Sequence, residues 1–211
     1  MNDKTETNTR LELLSAILMS LVVISISWSA YQSTLWGGIQ TFTLREVTSA
    51  GLKVSMNTLQ QGQYSTVDVI MFMEYINALN NNDQKHSEFY YDRFRPDFKL
   101  AVDAWLETKP FENPDAPPHP FVMPEYKKSY SEEAERFATE QAIKLQEAEQ
   151  ANHNSDNYVL MTVMYTGILF IGGIVHVFTE KIRLELLVVG WVIFSAVTFF
   201  LLTMPIAPLF E

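Results

Sequence analysis

The chain contains no cysteine. Disulfides, cysteine-ligated iron–sulfur clusters, thiolate zinc sites and a cysteine nucleophile are therefore all excluded. Basic charge is scarce: 15 Lys and Arg stand against 25 Asp and Glu, for a net charge of −10. Binding nucleic acid requires clustered cations, so it is disfavoured, and docking onto an anionic lipid surface is disfavoured for the same reason. No Gly-rich phosphate loop, no nucleophile elbow, no His-Glu-x-x-His motif and no internal repeat is present. No cofactor is assigned.

Charge of either sign is missing from three long stretches. No Asp, Glu, Lys or Arg lies between Glu12 and Arg45, between Asp156 and Glu180, or between Glu185 and Glu211. A spanning helix needs about 20 predominantly apolar residues. The sequence predicts an all-α membrane protein partnered by the lipid bilayer, with transmembrane helices over 13–37, 158–178 and 186–204. Around them lie an amino terminus over 1–12, an extramembrane helical domain over 38–157, a short loop over 179–185 and a tail over 205–211. Asp3, Glu6 and Glu12 offset Lys4 and Arg10, so the first apolar run lacks the positive flank of a cleaved signal peptide. Trp28, Tyr31 and Trp36 suit the interfacial end of that span.

Orientation follows from the basic residues. Lys181 and Arg183 sit in the short loop, and Lys4 and Arg10 in the amino terminus. Basic short segments stay cytoplasmic. The expected arrangement is a bacterial inner-membrane protein with a cytoplasmic amino terminus and a periplasmic domain.

Within the middle domain, Leu44, Val47, Gly51, Val54 and Thr58 keep the spacing of one helical face. A helix over Leu13–Gln60 would be about 70 Å long, with a break expected at Gln61-Gly62-Gln63. Ser65–Asn80 reads as a separate helix, apolar around nearly its whole circumference and so buried. An aromatic segment follows over His86–Phe94, and Pro96 opens another helix. Six prolines between Lys109 and Pro124 predict an extended, polyproline-like strap over 109–124. A polar helix over Ser129–Asn152, with Ser129 and Glu132 as a capping box, returns the chain to the second span. The whole is a long helical hairpin carrying a helical cap.

Candidate functional residues fall into small groups. Ser25, Ser29, Ser33 and Gly37 recur every fourth position, a ladder that lets helices approach closely in lipid. It serves either a subunit interface or packing within one chain. Ser20, Ser27, Tyr31 and Thr34 form a polar stripe that could line a pathway in an oligomer, although such hydroxyls also bond to their own helix. His176 is the one strongly ionisable side chain inside a span, close to its headgroup end. Asp83, His86, Glu88 and Asp92 form a polar cluster whose spacing fits no metal motif, so no metal site is assigned.

Four stretches carry a family likeness: Trp28-Ser29-Ala30-Tyr31-Gln32-Ser33-Thr34-Leu35-Trp36; Phe94-Arg95-Pro96-Asp97-Phe98-Lys99 with Ala104-Trp105-Leu106; Asn113-Pro114-Asp115-Ala116-Pro117-Pro118 with Met123-Pro124-Glu125-Tyr126; and Asn157-Tyr158-Val159-Leu160. In these the chain resembles a family of uncharacterised bacterial three-span inner-membrane proteins with a helical extracytoplasmic domain. The resemblance implies the architecture and supplies no catalytic residues. Three functions are open: a non-enzymatic protein that self-assembles, as a homo-oligomer, or binds a membrane-protein partner; a homo-oligomeric channel or transporter component; and a membrane-tethered enzyme using acids of the middle domain.

Overall fold

The structure, a computed structural model, describes the backbone of residues 2–208 and the side chains of residues 9–208. The side chains of Asp3, Lys4 and Glu6, and residues 209–211 of the tail, lie outside the described residues. The described residues form five α-helices: α1 (Asn2–Asn80), α2 (Gln84–Asp92), α3 (Pro96–Glu107), α4 (Ser129–Ile174) and α5 (Glu180–Thr203), with 3-10 turns at Pro120–Val122 and Val175–Val177. There is no strand among the described residues. Helices α1, α4 and α5 each contain a stretch long and apolar enough to cross a membrane. The protein is an all-α, multi-pass membrane protein.

The chain divides into two compact units, residues 1–46 with 143–211 and residues 47–142. In the first unit, α1, α4 and α5 pack around Leu18, Val22, Tyr158, Tyr165, Ile168 and Leu187. Two glycines admit close approach. A Cβ on Gly172 would lie 3.0 Å from Met19 Cγ, and one on Gly190 would lie 3.2 Å from Leu18 Cδ2. Large apolar side chains such as Phe170, Val192, Phe199 and Leu202 point outward, as the surface of a bundle solvated by hydrocarbon must. Helix α5 begins at Glu180, so most of the expected loop over 179–185 is helical. Charges in a first turn do not oppose helix formation, and an acidic residue there complements the helix dipole. The helix ends before Pro205, which cannot continue it.

The second unit has an aromatic core of Phe72, Tyr75, Phe94, Phe98, Trp105 and Tyr126. Phe98 is fully buried. It meets Phe72, Phe94 and Tyr126 edge-on, with centroids 4.9–6.3 Å apart, and stacks on Phe121 at 5.2 Å. These are the favoured geometries for ring quadrupoles. Helix α1 stops where Asn82 adopts φ 54°, with Asp83 N donating to Ala78 O and Asn82 N to Leu79 O. That is a Schellman closure, with asparagine in the left-handed position.

Four expectations need correction in this unit. Helix α1 is not broken at Gln61-Gly62-Gln63. A glycine costs a helix interior only about 1 kcal/mol, and here Gln61 Nε2 bonds Ser65 Oγ while Gly62 O accepts from Thr66 Oγ1. The stretch 65–80 is not buried all round. Asp68, Phe72, Tyr75 and Ala78 face the core, while Val67, Ile70 and Met73 are exposed, because α2 and α3 bring core residues to one side only. The proline-rich segment is not an extended strap. Lys109 at φ 54° starts a run of turns, Trp105 Nε1 donates to Pro117 O at 2.7 Å, and Pro120 is buried. Pro120 is drawn inward and Pro110 and Pro117 are half-buried, while Pro114, Pro118 and Pro124 stay exposed on the turns. Ser129 is the first residue of α4, and Glu132 N donates to Lys128 O, so the helix starts one position earlier than the predicted capping box requires.

The glycine contacts give a matched test. Gly172→Leu should overpack the bundle and lower the thermal midpoint in detergent by an amount equivalent to about 1–3 kcal/mol. Gly167→Leu, where a Cβ meets nothing within 4 Å, should not lower it. Equal midpoints for the two variants would refute the packing described.

Candidate functional site

The small-residue ladder of the first span lies largely inside the first unit. Ser29 is fully buried, and its hydroxyl has no hydrogen-bond partner among the described residues. Ser33 and Ser155 pair at 3.1 Å, and Ser155 Oγ also bonds Ser33 O. A Cβ on Gly37 would lie 3.9 Å from the same Ser155 hydroxyl. Ser25 bonds Leu21 O on its own helix. The ladder thus brings α1 against α4 of the same chain.

The polar stripe faces outward. Ser20, Ser27 and Thr34 donate to the carbonyls of Ala16, Val23 and Ala30, each one turn back. Tyr31 is exposed beside Trp28, with ring centroids 6.2 Å apart. His176 is exposed in the 3-10 turn after α4, and its carbonyl accepts from Arg183 Nη2 at 3.2 Å. Arg183 also approaches Glu12 at 3.9 Å. The start of α5 and the first turns of α1 therefore share one end of the unit.

The polar cluster after α1 separates into local contacts. Asp83 caps α2, accepting from His86 N at 3.1 Å and meeting His86 Nδ1 at 2.6 Å. These bonds hold the Asp83 carboxyl below its usual range. Glu88 accepts from Gln84, and Asp92 reaches Lys99 at 3.8 Å. No group of three or more potential metal ligands converges among the described residues.

The structure brings together a site that sequence reasoning missed. Asp68, on the core side of α1, is almost fully buried. Arg95 Nε donates to Asp68 Oδ1 at 3.2 Å and Arg95 Nη2 to Oδ2 at 2.7 Å, a forked pair. Tyr126 donates to the same Oδ2 at 3.1 Å. The Arg95 guanidinium also lies 4.8 Å over the Tyr64 ring, which stacks on Tyr130 at 5.3 Å. The Asp68 bond raises the Arg95 pKa, and burial raises that of Tyr126. Asp68 thereby joins α1, the α2–α3 connection and the end of the proline segment. Both carboxylate oxygens are engaged, so the cluster acts as a latch between segments.

The only sequence signals for this latch were an acid, one of two, within an apolar helical stretch and an arginine just before a helix-opening proline. Neither shows its partner, since Arg95 and Tyr126 lie 27 and 58 residues from Asp68. The stretches that carry the family likeness supply much of this bonding. Arg95, Trp105, Pro117 and Tyr126 hold the second unit together. In the first unit, Trp36 and Tyr158 donate to Pro205 O at 3.1 and 3.2 Å, and Ala207 N donates to the buried Gln32 side chain at 2.9 Å. Comparison with known proteins gives no match: no family model, no curated protein and no solved structure.

Two outcomes test this description. In full-length protein with Trp28, Trp36 and Trp191 changed to Phe, Trp105 fluorescence reports on the second unit. Arg95→Met should destabilise that unit by about 3 kcal/mol, because it strands a buried carboxylate. A change within error would remove the latch. The second outcome concerns alkaline pH. Tyr91 donates to Asp103 at 2.5 Å, and that bond, with burial and the carboxylate charge, pushes its phenol from 10.0 to about 12. A folded pKa above the unfolded value gives stability that is whole below pH 10 and is lost as pH rises through about 12. Tyr91→Phe should make the same reporter's denaturation midpoint fall less steeply across that window. An unchanged slope would count against the Tyr91–Asp103 bond.

Proposed function

We propose that this is a non-enzymatic membrane protein that assembles with itself or with a membrane-protein partner through α1 and its helical domain. In this reading it sits in the bacterial inner membrane, with its amino terminus in the cytoplasm and the 47–142 unit in the periplasm. One observation carries the proposal. The polar side chains buried in the second unit, Gln61, Asp68 and Ser87, bond within the chain, whereas a row of large apolar side chains on α1 stays exposed. Exposed apolar rows on a water-facing domain mark interaction surfaces. Orientation rests on Lys181 and Arg183 beside the turn between α4 and α5, at the same end as Glu12, since basic short loops are retained in the cytoplasm.

The channel reading draws less support. The hydroxyls of Ser20, Ser27 and Thr34 already bond their own helix, so the stripe is satisfied without water. Reporter fusions and particle mass test the proposal together. A periplasm-dependent phosphatase inserted after Glu112 should be active and one fused to the amino terminus inactive. Protein reconstituted in lipid nanodiscs should carry more than one chain, or one chain with a bound partner. Inactive insertions at Glu112, or a bare monomer recovered from native membranes, would defeat the proposal.

A further inference from the structure

In the second unit, Leu52, Met56, Leu59, Ile70 and Met73 are 56–68% exposed. With Gln63 and Thr66 between them, they are spaced alternately four and three residues apart over 52–73. That is the heptad seam of a coiled coil, and a period of 3.5 keeps a seam facing a partner helix. The seam lies away from Gln61, Asp68, Phe72 and Tyr75, the buried side of α1. Its centre is hollowed. Thr58, Leu59, Gly62, Gln63, Thr66 and Val67 line an open groove of about 670 Å³. Gly62 has no reason within the chain to be glycine: a Cβ there meets nothing within 4 Å, and its φ is not positive. It nevertheless carries the helix-interior penalty of a residue without a side chain.

We infer that this seam is a docking surface for a second copy of the same chain, with α1 helices side by side and parallel and the Gly62 groove receiving the partner's seam side chains. This rests on the self-association reading above and names its surface. Three features of the molecule select a second copy. Knob and hole lie on the same helical face, as an isologous contact requires. No charged residue occurs from 54 to 67 in a chain of net charge −10, so here two copies meet without the acid-against-acid repulsion of other faces, such as Glu132, Glu133 and Glu135 on α4. Copies inserted in one bilayer with one topology also present α1 in parallel. The five side chains would cover roughly 300–500 Å² per copy, less than the roughly 800 Å² of a free-standing interface. Anchoring in a shared bilayer raises effective concentration. The four–three spacing also continues in sequence through Leu14, Ile17, Leu21, Ile24, Trp28 and Tyr31, all exposed in the first unit.

The absence of cysteine makes the test direct. Full-length Leu59→Cys and Ile70→Cys proteins in native membranes are oxidised with copper phenanthroline. Leu100→Cys, equally apolar and exposed on α3, is the control. A disulfide adduct of twice the chain mass should form about tenfold more at the seam positions than at the control. Adding Gly62→Leu should reduce the Leu59→Cys adduct by about tenfold, with a thermal midpoint no lower than before, because a Cβ there meets nothing within 4 Å and the glycine penalty is removed. Equal adduct at Leu100→Cys, adducts of a different mass, or indifference to Gly62→Leu would overturn the seam. If light scattering in nanodiscs still showed several chains alongside such a failure, only this surface would be wrong. Single chains would remove both the surface and the self-association reading.

Discussion

Hydrocarbon offers no hydrogen bonds, and the first unit is arranged around that constraint. Each polar group placed among the spans must find a partner in the protein or cost several kcal/mol. Serines and threonines on the outward faces turn back onto carbonyls of their own helix. Tyr165 pairs with Thr198 at 2.9 Å across α4 and α5. The carbonyl of Pro205, freed where α5 ends, receives both Trp36 and Tyr158. The bundle joins its helices with few polar bonds and leaves most of its surface greasy.

The second unit is held together differently. Its core is small, so rings supply most of the buried area and the Asp68 latch fixes how three distant segments meet. A buried ion pair adds little net stability compared with apolar packing of the same shape, but it penalises any arrangement that separates its members. Here those members come from α1, the α2–α3 connection and the last residues before α4. Separating any of them would strand the buried Asp68 carboxylate. The exposed row on the opposite side of α1 has no such internal use, which is why the assembly proposal is built on it.

Legibility in the sequence followed the range of the interaction concerned. The spans were readable because lipid filters composition residue by residue, and the helix at Pro96 and the stop at Asn80–Asp83 were readable from local backbone chemistry. Gln61-Gly62-Gln63 misled because glycine weakens a helix without forbidding it, and side-chain bonds within the turn carried the helix through. The prolines of 109–124 misled because Trp105 and Phe98 offered burial to Pro117 and Phe121, which an extended strap would have forgone. The latch was invisible because its partners lie far apart in sequence. Ser29 and Ser33 were recognisable as packing positions, yet spacing alone does not show which helix they pack against. The structure places Ser155 of α4 beside Ser33 and Gly37.

The bond between Gln32 and the amide of Ala207 joins positions 175 residues apart. Gln32 is buried, so the segment after α5 closes over a carboxamide of α1 and supplies it with a donor that α1 alone does not. The first unit is thereby clasped between a side chain of its first span and a backbone N–H beyond its last helix.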